Sequence, residues 1–253
     1  MNKNKSVPLS DKTREIILGS LLGDGSLKIH KGYKNARFSF RHSIDQKDYF
    51  FWKVSQLKEI SSDKNVFMQE KDGYSNNKKL RYQSKAMLEL TELYKLTHKR
   101  NHLNIRRKWL NRMTALSLAI WWFDDGSLIS NSRKGVFCTD GFDKLSVKII
   151  SQYLQKVWNI RTIVAPVSRK RDGKQLEYWR IWIRSTNELK KFLKIIIPYT
   201  FAPSMLRKVI MLYKDRQLQQ RWISEIINNT SFSQQEIENQ LQEKIKKWKN
   251  FRK

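Results

Sequence analysis

The chain has 253 residues, 40% of them hydrophobic, which is enough to bury a core in one large or two small domains and excludes a disordered tail. Lys and Arg number 51 against 23 Asp and Glu, a net charge of +28 that requires a polyanionic partner. The longest apolar run, Leu116 to Phe123 with Ser117 inside it, falls well short of the roughly 18 residues of a spanning helix, so no transmembrane segment is expected, and because the positive charge runs along the whole chain interleaved with aromatics, nucleic acid is the expected partner and not a membrane.

Ser10 is the predicted N-cap of a helix that runs through Ile16, Ile17, Leu18, Leu21 and Leu22. Gly19 and Gly23, four apart, would let a second helix approach closely. The helix runs into Asp24-Gly25-Ser26-Leu27. A strand follows in which Arg37, Ser39 and Arg41 alternate with Phe38 and Phe40. The Asp72-Gly73 turn leads to a second strand, Leu80 to Ser84, with Arg81 and Gln83 opposed to Leu80 and Tyr82; Lys85 extends the polar series. Met87 to Tyr94 reads as a helix. His98 and His102 lie four apart on what reads as helical spacing, but no third ligand accompanies them and no zinc is expected.

The second apolar segment, centred on Leu116 to Phe123, leads into Asp125-Gly126-Ser127-Leu128. The Asp172-Gly173 turn precedes a strand, Tyr178 to Ser185, that sets Tyr178, Arg180, Trp182 and Arg184 on one face and Trp179, Ile181 and Ile183 on the other. Leu189 to Ile197 is helical. From Asp215 onward the chain is rich in Gln, Lys, Asn and Glu, with Trp222, Ile223, Ile226 and Ile227 on helical spacing, as in a helical extension.

Both the Asp-Gly-Ser-Leu motif and the Asp-Gly turn recur about one hundred residues apart, with the same elements after each, as a duplicated half-domain demands. The expected fold is α/β (α+β): two αββαββα-like half-domains with antiparallel sheets and pseudo-twofold symmetry, over 1–100 and 101–213, followed by an extension over 214–253.

A lone Asp-Gly is an ordinary turn or helix stop. Its duplication at two helix ends is less ordinary. If those helices pack side by side, Asp24 and Asp125 face one point, and the glycine after each would let the chain leave in left-handed geometry. Two carboxylates at negative helix ends repel unless cations neutralise them, and Mg²⁺ is the hard ion that carboxylates and phosphates hold together.

These two stretches, Ile17 to Gly25 and Leu118 to Gly126, resemble the motif of the single-chain LAGLIDADG homing endonucleases, whose two namesake helices each end in a catalytic Asp. The likeness also takes in Phe137 to Phe142 and Ile197 to Lys208, and so covers most of residues 10 to 213. It implies that the two helices meet at an interface beneath a β-sheet saddle, that Asp24 and Asp125 are catalytic and bind metal, and that the carbonyls of Gly23 and Asp124 join them. It implies an active-site lysine at Lys208, counted forward from Pro203; the first-half count falls on His102 or Leu103. His42 and Asp140 match positions where the family often has a polar residue near the metals.

The implied activity is hydrolysis of both strands of a long double-stranded DNA target in intron homing, with Mg²⁺ or Mn²⁺ as cofactor and Ca²⁺ supporting binding alone. Arg37, Ser39, Arg41, Arg81, Gln83, Lys85, Tyr178, Arg180, Trp182 and Arg184 are the expected DNA-binding residues, since Arg and Gln suit the edges of guanine and adenine. The alternatives are an intron-encoded RNA maturase of the same family and an unrelated RNA-binding protein, the second disfavoured by the duplication. A monomer is expected, without secretion signal. The single Cys138 fits a reducing intracellular compartment, and the Lys, Asn and Ile bias fits the AT-rich genome of a mitochondrion or chloroplast.

Overall fold

The computed structural model describes residues 8–70, 78–171 and 173–247; Asp72, Gly73 and Asp172 of the two expected turns lie outside the described residues. The chain divides into two compact units, Met1–Ile120 and Trp121–Lys253.

In the first unit, α1 (Asp11–Leu21) starts where Ser10 accepts a hydrogen bond from the Thr13 amide. Then come β1 (Gly25–Lys28), β2 (Arg37–Ser43), α2 (Lys47–Gln56), β3 (Val66–Gln69), β4 (Lys79–Gln83) and α3 (Leu88–Thr97). The strands form one antiparallel sheet in the order β1-β2-β4-β3. Its inner face carries Leu27, Phe38, Phe40, Leu80 and Tyr82, all buried, and packs against α2 and α3, which supply Tyr49, Phe50, Leu90 and Leu93. Period-2 alternation therefore leaves Arg37, Ser39, Arg41, Arg81 and Gln83 on the other face, as the sequence predicts.

A short hairpin, β5 (His98–Lys99) and β6 (His102–Leu103), turns through Arg100 and Asn101, both at positive φ. His98 and His102 thus sit on a hairpin and not on one helix face. The one-turn helix α4 (Arg107–Leu110) then leads to α5 (Ala115–Asp125), within which the division between the units falls.

The second unit continues with β7 (Gly126–Ile129), β8 (Lys134–Phe137), α6 (Lys144–Trp158), β9 (Ile163–Arg171), β10 (Lys174–Ile183) and α7 (Thr186–Ile196). The strand order, β7-β8-β10-β9, repeats that of the first sheet, so the αββαββα succession occurs twice with mixed α/β architecture and antiparallel pairing. Trp121, Trp122, Phe137 and Phe192 form its aromatic core, with Trp121 stacked on Phe137 at 3.9 Å between ring centres. The short α8 (Pro203–Leu206) closes this half, and the extension forms α9 (Arg216–Asn229) and α10 (Gln234–Lys247); Trp222, Ile223 and Ile226 of α9 are buried as their spacing predicts. No helix among the described residues is long and apolar enough to cross a membrane.

Two expectations about glycine need correction. Positive φ occurs, among the described glycines, at Gly32 and Gly173, so the chain does not leave the motif helices in left-handed geometry. Gly25 and Gly126 are required for space instead: a Cβ on Gly25 would lie 2.6 Å from the Ser20 Cβ, and one on Gly126 would lie 2.1 Å from the Trp122 ring. Close approach of α1 to α5 rests on Gly19, where a Cβ would meet the Ser117 carbonyl at 2.3 Å, while Gly23 lies beyond the end of α1. The Ser117 hydroxyl seals the same contact by donating to the Glu15 carbonyl at 2.8 Å.

Candidate active site and nucleic-acid face

The two motif copies reach their first strands differently. Helix α1 stops at Leu21, and Leu22 and Gly23 close a tight turn through hydrogen bonds to the carbonyls of Gly19 and Ser20, which leaves Asp24 in the turn just before β1. Helix α5 continues through Asp124 and Asp125, and β7 begins at once at Gly126.

Asp24 keeps 41% of its side chain exposed and lies 3.2 Å, Oδ2 to Nδ1, from His42, which is buried. Strand β2 turns His42 inward beside the rings of Phe40, Tyr49 and Phe50, at 5.4, 5.0 and 6.3 Å. That packing holds the imidazole in one orientation, so the carboxylate has a rigid neighbour on its inner side. Outside, Asp24 and His42 line a cleft of about 340 Å³ with Arg41, Ser43, Gln46 and Lys79. The cleft combines one carboxylate with two cations, a surface suited to hard cations and to phosphate oxygens. Ser43, Gln46 and Lys79 were not singled out in the sequence; the signal for Ser43 and Lys79, paired across β2 and β4, was that both continue the polar alternation of Arg41 and Arg81 by two residues.

In the second unit, the Asp125 carbonyl accepts from the Cys138 amide at 3.0 Å, tying α5 to the end of β8. Lys208 lies at the C-terminal end of the same helix. Its ammonium donates to the carbonyls of Phe123 at 2.5 Å, Asp124 at 3.1 Å and Trp122 at 3.4 Å, and the Trp122 indole N–H donates back to the Lys208 carbonyl at 2.9 Å. A cation at a helix C-terminus satisfies orphan carbonyls and the macrodipole together. The Asp124 carbonyl thus accepts a hydrogen bond from Lys208.

Strand register refines the comparison of His42 with Asp140. Gly25 pairs with Phe40 and Gly126 with Phe137, so Phe40 and Phe137 are equivalent, and counting onward sets His42 against Thr139 and Ser43 against Asp140. Asp140 has a different role from His42: it grips Arg180 through both oxygens, at 2.6 and 2.5 Å, with Arg169 at 3.7 Å. This bidentate bond holds the Asp140 carboxyl below its ordinary range and raises the Arg180 guanidinium. Burial raises the neighbouring Cys138 thiol above its ordinary range.

By the same register Arg81 is the equivalent of Arg180. Arg81 pairs directly with Arg41 across β2 and β4, and Arg41 donates to Gln69 at 3.3 Å. Adjacent like charges on paired strands are costly without an anion between them. The outer sheet face of the first unit therefore presents a concentrated positive field, with Ser39 set opposite Gln83 and Arg37 stacked over Tyr33 at 4.3 Å. On the second sheet Tyr178, Arg180 and Trp182 share the outer face, and Arg184 lies beyond the end of β10, exposed, its guanidinium 6.0 Å from the Trp182 ring centre. Lys85 is exposed just past β4, and His102 is exposed on β6.

Residues 14–192 match the profile of the LAGLIDADG DNA endonuclease family. Among curated proteins, the chain is 29% identical over 231 residues to a protein named RecA from Mycobacterium gastri, covering 83% of this chain and 50% of that one. It is 26% identical to cytochrome b mRNA maturase bI2 of Saccharomyces cerevisiae, over 83% of this chain and 49% of that one. The maturase of the same name from Debaryomyces hansenii is 25% identical over 83% and 77% of the two chains. The chain thus spans about half the length of the first of these relatives. Among solved structures, the homing endonuclease I-WcaI bound to its DNA recognition sequence superposes with a TM-score of 0.68 at 23% identity, covering 83% of this chain and 91% of that one, a likeness of fold.

Proposed function

From the premise that this chain belongs to the LAGLIDADG DNA endonuclease family, we propose that it is a site-specific homing endonuclease that hydrolyses both strands of a long double-stranded DNA target with divalent metal ions. The observation that carries this reading is the repeat of one arrangement: in each unit a motif helix delivers an aspartate, Asp24 or Asp125, to the first strand of a sheet whose outer face bears arginine.

The Asp24 carboxylate, accessible in a cleft that also holds the Ser43 hydroxyl and the Gln46 amide, supplies the anionic oxygen a hard divalent ion needs, and Arg41 and Lys79 beside it suit the phosphate such an ion would carry. Asp24 and Asp125 are read as the metal-binding carboxylates of their respective units, with the carbonyls of Gly23 and Asp124 as further oxygen ligands. Mg²⁺ held there would neutralise phosphate charge and activate a water for in-line attack. His42 fixes the orientation of the Asp24 carboxylate. Lys208 holds the end of α5, and so the backbone of Asp124, in place. Arg37, Ser39, Arg41, Arg81, Gln83 and Lys85, with Tyr178, Arg180, Trp182 and Arg184, form the DNA-binding face: Arg37, Arg41, Arg81, Arg184 and Gln83 read base edges, lysines neutralise phosphate, and Arg180, held by Asp140, contributes positive charge from within the sheet.

The test is incubation of the purified chain with a library of long duplexes in Mg²⁺, Mn²⁺ or Ca²⁺, with new ends mapped by sequencing. Discrete double-strand breaks in Mg²⁺ and Mn²⁺, and binding without breaks in Ca²⁺, are expected. A second reading, an intron-encoded RNA maturase of the same fold, is favoured by the similarity to the two cytochrome b mRNA maturases. Tight binding of intron RNA with no DNA break in any metal would replace the first reading with the second.

A further inference from the structure

The segment that carries Lys208, residues 207–211, belongs to no helix or strand, yet Val209, Ile210 and Met211 are completely buried. Carbonyls outside a helix or ladder need partners from elsewhere, and the buried ones cannot take them from water. Each of the five has one, and each partner is a side chain. The Arg207 carbonyl accepts from Lys244 at 2.7 Å, Lys208 from Trp122 at 2.9 Å, Val209 from Trp222 at 3.0 Å, Ile210 again from Lys244 at 2.6 Å, and Met211 from Gln219 at 3.2 Å. Trp122 belongs to the motif helix α5; the other three belong to α9 and α10, outside the region that matches the family profile.

Lys244 is the unusual member. Its amine spans the turn that contains Lys208, bonding the carbonyl before it and the second carbonyl after it. Burial, with the charge of Arg207 beside it, pushes that amine down to about 7, a cost that an apolar residue at the site would not incur. A side chain that only filled space would be a leucine or methionine.

We propose that Lys244 is a positioning residue for Lys208: by clamping the Arg207 and Ile210 carbonyls it fixes the turn from which Lys208 reaches the end of α5, making the C-terminal helices part of the active site's support. The proposal rests on the endonuclease reading for its effect on cleavage, but not for its effect on Lys208 itself.

The test compares the full chain with Lys244→Met and Lys244→Arg. The exchange rate of the Trp122 indole proton, followed by NMR, reports the bond to the Lys208 carbonyl without DNA or metal. Loss of the clamp is expected to speed that exchange about tenfold and slow single-turnover cleavage at saturating DNA about tenfold, the worth of roughly one hydrogen bond. DNA affinity in Ca²⁺ should stay unchanged, and Lys244→Arg should restore both rates. Unchanged indole exchange, or faster exchange with an unchanged cleavage rate, overturns the proposal. A wild-type chain that binds but never cleaves ends the endonuclease reading instead, and indole exchange then decides alone whether Lys244 positions Lys208. Lys244→Gln carries the same measurements if the methionine variant does not fold.

Discussion

Lys208 and Phe123 are joined by an ammonium-to-carbonyl hydrogen bond of 2.5 Å across 85 residues of sequence, and the neighbouring Trp122 indole returns a bond to the Lys208 backbone. The end of the second motif helix is therefore held from two directions by one residue. Lys208→Met removes the charge that caps three carbonyls while keeping most of the stem. Denaturant titration should show a loss of about 2 kcal/mol, the range for hydrogen bonds to charged groups. Cleavage should fall by more than that loss explains when measured well below the unfolding transition.

Asp24→Asn and Asp125→Asn each preserve shape and remove one negative charge. Under the endonuclease reading either substitution should lower the single-turnover rate about a thousandfold, the equivalent of several kcal/mol of lost metal-assisted stabilisation. Affinity for the target in Ca²⁺ should change little. Undiminished cleavage in either variant would remove that aspartate from the catalytic set.

Gly19→Ala sets helix propensity against space. Alanine gains about 1 kcal/mol in a helix interior, but here its Cβ would press on the Ser117 carbonyl at 2.3 Å and on the Ile120 Cβ at 3.0 Å. Overpacking of this kind costs about 1–3 kcal/mol, and more where backbone must move, so a net loss of stability is expected by thermal or chemical unfolding. Gly141→Ala, where a new Cβ meets nothing within 4 Å, serves as the control and should be close to neutral.

His98 provides a dependence on acid. Burial against Tyr94, with ring centres 4.4 Å apart, lowers its pKa from 6.5 to about 4. Between those values the unfolded chain binds a proton that the folded chain refuses, so this group makes stability fall as pH drops from about 6.5 toward 4 and adds no further loss below. Denaturation midpoints at pH 7.5 and 4.5 should differ less in His98→Phe than in the wild type; an equal difference would assign the acid sensitivity to other groups.

Much of the fold was legible because local periodicity reports which side faces inward. Alternation in Arg37–Ser43 and Lys79–Gln83 is the same physical fact as the burial of Phe38, Phe40, Leu80 and Tyr82, so both the strands and their polar faces follow from residue order. The duplicated Asp-Gly-Ser-Leu motif likewise exposed the repeat, since two copies of one sheet need the same succession of elements. What residue order could not convey depends on contacts between distant segments. The glycines after Asp24 and Asp125 looked like left-handed exits, yet Ser20 and Trp122 require them by crowding. His42 and Asp140 looked alike, yet register separates them, setting one beside Asp24 and binding the other to Arg180. The grip of Lys208 on α5, and of Lys244 on the turn that carries Lys208, joins residues 85 and 37 positions apart. Sequence by itself determined which faces are buried and that the unit repeats, because those properties are local; only the tertiary structure decided which buried carbonyl each distant side chain satisfies, because hydrogen bonds are settled by proximity in space.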